Sequence, residues 1–152
     1  MDKKFMKEAL KQARKAYRLG EVPIGAVIVK DGKIIARAYN KREALMSAHA
    51  HAEILAIQKA CRKENNWRLS GCTIYVTLEP CPMCAGAMIN ARIDRIVYGA
   101  KNPQSGACGT KIALPQMSLL NHTPEISSGV MQEECALLMN DFFKTVRKRG
   151  QK

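Results

Sequence analysis

The stretch TIYVTLEPCPMCAGAMINA, residues 73–91, changes character at its middle, and that change decides the fold. Residues 73–78 are β-branched and apolar, the pattern of a short buried strand. Residues 82–91 are rich in Ala and Met and read as a helix that opens on Pro82. Proline suits the first helical position, where its missing N–H would have no partner anyway. Between the two elements stand Cys81 and Cys84. Three residues is nearly one helical turn, so both sulfurs can face one point beyond the helix N-terminus. The dipole and the free N–H groups at that end favour thiolate over thiol.

Working outward, the same alternation continues in both directions. Residues 3–19 carry Phe5, Met6, Ala9, Leu10, Ala13 and Tyr17 at helical spacing, and Gly20 stops the run. Residues 23–29 read as a strand, Asp31-Gly32 as a hairpin turn and residues 33–39 as the partner strand. A helix is expected over about 50–62. A further strand follows over 93–98, closed by Gly99. Residues 101–124 are mostly irregular, with one short helical turn near 112–116. A brief strand near Ile126 and a final helix over about 131–147 end the chain. The order α-β-β-α-β-α-β-loop-β-α predicts an α/β fold, a mixed sheet with helices on both faces. No repeat or linker divides it, so residues 1–152 are expected to form a single domain.

Lys and Arg outnumber Asp and Glu by 25 to 13, a formal charge of +12 on 152 residues. Such a balance disfavours a small cationic ligand and favours a polyanion. Residues 3–18 hold seven of these cations, and residues 144–152 hold Lys144, Arg147, Lys148, Arg149 and Lys152 with no acid. The bland alternative for both runs is a solvated surface. No apolar run is long enough for a membrane span, and Met1-Asp2-Lys3-Lys4-Phe5 leads into no signal-peptide core. A cytoplasmic protein with reduced cysteines is expected. Cys61, Cys72, Cys108 and Cys135 are scattered singly and are expected to be small buried residues.

The second chemical segment is His51-Ala52-Glu53, at an expected helix start thirty residues before Cys81. In an open α/β sheet, helix N-termini that follow strands line the ligand crevice. Two thiolates and an imidazole form a good donor set for zinc. Three ligands leave a position for water, as in catalytic sites. A structural site needs a fourth, for which His49, His122 or Cys108 would be available. Glu53 has no local partner charge, and its simplest role is to move a proton to and from the zinc-activated water. Its bland role is to complement the helix dipole. Two non-equivalent classes therefore stand side by side: a hydrolytic enzyme, and a structural-zinc module that binds RNA.

His-x-Glu followed by Pro-Cys-x-x-Cys resembles the signature of the zinc-dependent cytidine and deoxycytidylate deaminase superfamily. The likeness extends well beyond it. Glu21-Val22-Pro23-Ile24-Gly25-Ala26-Val27, Asn40, His51-Ala52-Glu53, Asn66-Trp67-Arg68-Leu69 and the stretch from Thr77 through Ala87 resemble the bacterial tRNA-specific adenosine deaminases. So do Tyr98-Gly99-Ala100, Leu120-Asn121-His122 and Asp141-Phe142-Phe143.

That resemblance implies a three-layer α/β/α cytidine-deaminase-like fold around a five-stranded mixed sheet, in a homodimer. It implies hydrolytic conversion of adenosine to inosine at the wobble position of a tRNA anticodon stem-loop. One zinc would be held by His51, Cys81 and Cys84, with Glu53 as proton shuttle. Asn40 would hydrogen-bond the nucleoside, and backbone groups at Ala52 would read the base edge. Pro23, Ile24, Asn102, Asn121, His122, Phe143 and Arg147 would line the substrate and RNA surface. A small-molecule guanine or cytosine deaminase shares the zinc chemistry but has no use for a charge of +12. Two positions depart from the family pattern. Ser47-Ala48-His49 replaces an Asp-Pro-Thr-like stretch, and Asn102 stands where Asp is usual. A neutral Asn102 is expected to depend less on the ribose 2′-hydroxyl, or to start a turn with Pro103.

Overall fold

The computed structural model describes residues 1–117 and 121–150. Leu120 of the family-like stretch and Lys152 of the basic tail lie outside the described residues. The elements are α1 (Asp2–Arg18), β1 (Gly25–Lys30), β2 (Lys33–Tyr39), α2 (Ala52–Glu64), β3 (Cys72–Leu78), α3 (Pro82–Asn90), β4 (Arg95–Ala100), β5 (Glu125–Ser127) and α4 (Gln132–Gly150). A 3-10 turn at Leu114–Gln116 interrupts the long loop before β5.

The strands form one sheet in the order β2-β1-β3-β4-β5. β1 runs antiparallel to both β2 and β3, while β3, β4 and β5 are parallel. The hairpin turn is the expected one. Asp31 and Gly32 both have positive φ, 51° and 75°, which matches the two-residue turn whose twist suits antiparallel strands.

Alternation along the strands divides the interior in two. Ala26, Ile28, Ile74, Val76 and Ile96 face α2 and α3, where they meet Ala56, Ala60 and Met88. Val27, Val29, Tyr75 and Val97 face the other way, onto Phe5, Met6, Leu10 and Cys135 of α1 and α4. The result is the expected three-layer arrangement, α2 and α3 on one face of the sheet and α1 and α4 on the other. The N-terminus is pinned as well. Both terminal guanidinium nitrogens of Arg95 reach Asp2, at 2.8 and 2.7 Å, and the Tyr75 hydroxyl donates to Asp2 at 2.8 Å. The Arg95 contact holds the Asp2 carboxyl below its usual range.

Two boundaries differ from the sequence expectation for physical reasons. β1 begins at Gly25 rather than at residue 23, because Pro23 has no N–H to give a ladder. Gly99 does not close β4 but lies inside it. A methyl group there would come within 2.4 Å of the Cys135 sulfur. The glycine marks where α4 packs closely on the strand. Cys72, Cys108 and Cys135 are buried as expected, whereas Cys61 is only half-buried.

Gly25 is the tightest of these approaches. A Cβ built on it would lie 2.1 Å from the Ala9 carbonyl oxygen and 2.5 Å from the Ala13 nitrogen. Both are backbone atoms of α1, so relief requires moving the helix. Gly25→Ala is expected to lower the unfolding free energy by about 3 kcal/mol, the upper part of the overpacking range. Urea denaturation measures it, and an unchanged midpoint would show that α1 shifts freely.

Candidate metal centre and active site

α2 and α3 share one face of the sheet and touch each other. Each begins from an extended residue that bears a metal-binding side chain. His51 is the residue before α2, with φ −72° and ψ 150°. Cys81 is the residue before α3, with φ −76° and ψ 172°, and Pro82 starts the helix behind it. Neither side chain caps its own helix. Both are thus free to turn toward the gap between the two N-termini, where Cys84 joins them from the first turn of α3.

The His51 Nδ1 lies 3.7 Å from the Cys81 sulfur and 3.5 Å from the Cys84 sulfur. The three ligand atoms all fall within 4.8 Å of one another. This is the only group of its kind among the described residues. The hydrogen bond from Cys84, helped by His51, holds the Cys81 thiol down to about 4. The same contact and burial push Cys84 up, and the bond to Cys81 raises His51. Two sulfurs and an imidazole nitrogen in contact suit a soft or borderline divalent cation.

Glu53 is the second residue of α2, within its first turn, and is 3% exposed. Burial pushes its carboxyl up to about 7. Its Oε1 is buried with no hydrogen-bond partner among the described residues. A buried carboxylate oxygen left unpaired costs a full desolvation penalty unless something else satisfies it. A group bound beside the three donors would do so. The residues present therefore fit a metal ion with a further, non-protein ligand next to it.

The alternative fourth donors are placed elsewhere. His49 is exposed and outside the cluster. His122 stands at the far edge of the sheet, where its Nε2–H donates to the Ile93 carbonyl at 2.6 Å. Cys108 is buried, and burial pushes its thiol up to about 12. A structural-metal reading needs a fourth protein ligand, and among the described residues none joins.

The other expected site residues fall into two neighbourhoods. Pro23 is buried, and Ile24 packs against the α2–α3 core. Asn40 is buried at the end of β2, where its Nδ2 donates to the Val22 carbonyl and its Oδ1 accepts from the Arg42 N–H, each at 3.3 Å. Ala52, fully buried, opens α2. Asn102 and Phe143 line a cleft of about 330 Å³ with Leu78, three residues before Cys81. Arg147 and Phe143 line the adjoining cleft with Gln104. Asn121, the residue before His122, is exposed. Asn102 behaves as a turn residue. Its Oδ1 accepts from the Gln104 and Ser105 N–H groups, each at 3.1 Å, and its Nδ2 donates to the Ser105 hydroxyl at 3.0 Å.

Two buried acids, Glu79 and Glu21, had no role assigned by motif. Glu79, 1% exposed, accepts N–H bonds from Asn102, Cys108 and Thr110 and a hydroxyl bond from Thr110. Just after it, the Pro80 carbonyl accepts from the Ala107 N–H at 2.9 Å. Together these fix the loop 102–110 against the turn that carries Cys81. Glu21 does the same on the other side, accepting from the Glu43 and Ala44 N–H groups at 3.0 and 2.7 Å. The available signal is an acid set next to an apolar residue and a proline, as in Leu78-Glu79-Pro80 and Glu21-Val22-Pro23.

The chain matches the MafB19-like deaminase family over residues 1–147. It is 51% identical over 148 residues to the tRNA-specific adenosine deaminase of Bacillus subtilis (strain 168), covering 97% of this chain and 92% of that protein. The chain belongs to the tRNA-specific adenosine deaminase family.

A solved structure from work on A-to-I editing by tRNA:A34 deaminases at the wobble position of transfer RNA superposes on this deaminase with a TM-score of 0.86. It is 44% identical, over 89% of this chain and 98% of that one. The guanine deaminase of Bacillus subtilis is more distant, with a TM-score of 0.64 and 31% identity over 95% and 92% of the two chains.

Removing one donor from a three-donor centre leaves too few to retain an ion. Cys84→Ala and Cys81→Ala are each expected to lose most of the bound metal, as read by elemental analysis of the purified protein. Stoichiometric metal in either variant would overturn the ligand assignment.

Proposed function

We propose that this deaminase converts adenosine to inosine at the wobble position of a tRNA anticodon, with zinc held by His51, Cys81 and Cys84. The observation that carries the reading is Glu53: a buried carboxylate with an unpartnered oxygen beside a three-donor metal site. Zinc accepts this mixed sulfur and nitrogen set, and when bound it makes water nucleophilic near neutral pH. The tRNA:A34 deaminase likeness and the charge of +12 support an RNA substrate.

Glu53 supplies the proton traffic. It takes a proton from the attacking water and passes it to N1 of adenine as the C6–O bond forms. It then takes the second proton from the new C6 hydroxyl and delivers it to the exocyclic amine as the C6–N bond breaks, so that the C6 carbonyl of inosine forms and ammonia leaves. One carboxyl can serve first as base and then as acid. Asn40 keeps one amide N–H and one lone pair beyond its two loop contacts, enough to hold a nucleoside hydroxyl. The Ala52 N–H lies in the first turn of α2, where such groups lack helical partners and can read the base edge. The base leaves the anticodon stack to reach them. Phe143, Asn102 and Arg147, with Pro23, Ile24, Asn121 and His122, are proposed to meet the surrounding nucleotides.

A homodimer acting in the cytoplasm completes the proposal. No helix among the described residues is long and apolar enough to cross a membrane.

Inosine mapping on unmodified total tRNA tests the reading, with free guanine, cytosine and adenine assayed in parallel. Inosine at the wobble position is expected. Turnover of free guanine or cytosine without any on tRNA would select the small-molecule deaminase instead. Glu53→Gln is expected to keep its zinc and its tRNA affinity and to lose about 10²–10⁴-fold in single-turnover rate, the usual share of general acid–base catalysis. A near-normal rate would assign the proton to another group.

A further inference from the structure

The metal centre uses only one end of the molecule, yet much of its charge lies on α1. Phe5, Met6, Ala9, Leu10, Ala13 and Ala16 bury one side of this helix against the sheet. The outer side is basic. Lys4, Lys7, Lys11, Lys15 and Arg18 are all exposed and recur every three or four residues. Positions so spaced stack on one helix face, and at 1.5 Å per residue this stripe is about 21 Å long. Little opposes it. Asp2 is engaged by Arg95 and Tyr75. Glu8 pairs with Lys11 at 3.1 Å, the only salt bridge that a cation of the stripe makes among the described residues.

The stripe also leads somewhere. At its C-terminal end the Tyr17 hydroxyl donates to Asp141 of α4 at 2.6 Å. Arg18 and Arg149 line a shared cleft there with Tyr17 and Phe142. The chain then runs from Arg18 straight to the pocket wall. Glu21 holds the 43–44 turn, and the Val22 carbonyl accepts from Asn40.

We propose that the outer face of α1 is a second RNA surface, which holds the phosphates of the double-helical stem flanking the reacting loop. The inference rests on the tRNA reading above. The chemistry favours one occupant. The cleft beside Tyr17 takes in Arg18 alone of the stripe, so a compact anion there would be held by one or two cations, whereas a repeating anion engages the whole row. A lipid surface is disfavoured because the apolar side of α1 is spent on the core and cannot enter a bilayer. A stem leaving the pocket past Arg18 meets the remaining cations in order.

The test compares two triple variants of equal charge, in the full chain with metal bound. One is Lys7→Gln, Lys15→Gln and Arg18→Gln. The other, at the start of β2 and the C-terminal end of α2, away from the outer face of α1, is Lys33→Gln, Arg62→Gln and Lys63→Gln. Circular dichroism and metal content check that both are folded. Binding is measured against salt for a full-length tRNA transcript and for a hairpin cut to the loop and its closing pairs. Each lost phosphate contact flattens the logarithmic salt slope by about 0.7–0.9. For the α1 triple, the gain in tRNA affinity from 200 to 50 mM salt is therefore expected to shrink by roughly 20- to 40-fold relative to the unsubstituted protein. The cut hairpin should show no such loss, and the control triple should keep the original slope. Equal flattening in both triples would reduce the stripe to part of a diffuse field, and no flattening in either would make it a solvated face. Equal loss on the cut hairpin would move the contact to the loop. Each of these three results overturns the proposal. Inosine formation by the unsubstituted protein is scored separately: its absence would reject the adenosine reading while the binding comparison still judges the stripe.

Discussion

The structure depends on two helix N-termini converging on one face of one sheet. His51 precedes α2 and Cys81 precedes α3, both in extended backbone. Only because the two helices lie side by side over the same core do an imidazole and two sulfurs come within 4.8 Å. The dipoles of both helices point their positive ends at that spot. The same field that favours thiolates also eases the placing of Glu53, a carboxylate that would otherwise be costly so deep in the protein. Metal ligation and proton transfer thus draw on one electrostatic arrangement rather than two.

Such convergence has to be held, and the supports are buried carboxylates with no cationic partner among the described residues. Glu79 collects backbone N–H groups from Asn102, Cys108 and Thr110, and Glu21 collects those of Glu43 and Ala44. A loop running over a site would otherwise leave these donors unpaired. An ionised carboxylate has about four acceptor positions and can satisfy several at once. Each acid therefore converts an irregular segment into a fixed wall. The Asn102 side chain continues this work within its own loop, which explains why its amide is engaged locally.

The two faces of the sheet divide the labour. The α2–α3 face holds the chemistry, and its core is built from small residues such as Ala56, Ala60 and Ala85 that let the helices lie close. The α1–α4 face carries much of the positive charge. Gly25 and Gly99 allow α1 and α4 to press against the strands there. A close-packed back face keeps the apolar side of α1 covered and leaves only its cations outside.

Several features were legible in the sequence because they are local. The Asp31-Gly32 turn, the helix stop at Gly20, the strand-to-helix change at Pro80–Pro82 and the alternation of apolar strand residues each depend on near neighbours. The pairing of His-x-Glu with Cys-x-x-Cys was legible as chemistry, since donor types and helix starts can be read from short windows. What spacing left open was decided by contacts between distant segments. The chain alone offered His49, His122 and Cys108 as equal fourth ligands; the tertiary fold sends His122 to the Ile93 carbonyl and keeps Cys108 under Glu79. Gly99 looked like a strand end, but its reason is the Cys135 sulfur thirty-six residues later. Glu79 and Glu21 stand inside family-like stretches, yet spacing assigns them no role, because their partners are backbone groups that any sequence possesses. The sequence determined which groups were available and which local turns would present them. The tertiary structure decided which groups meet, because contact and burial are properties of packed surfaces and not of spacing along the chain.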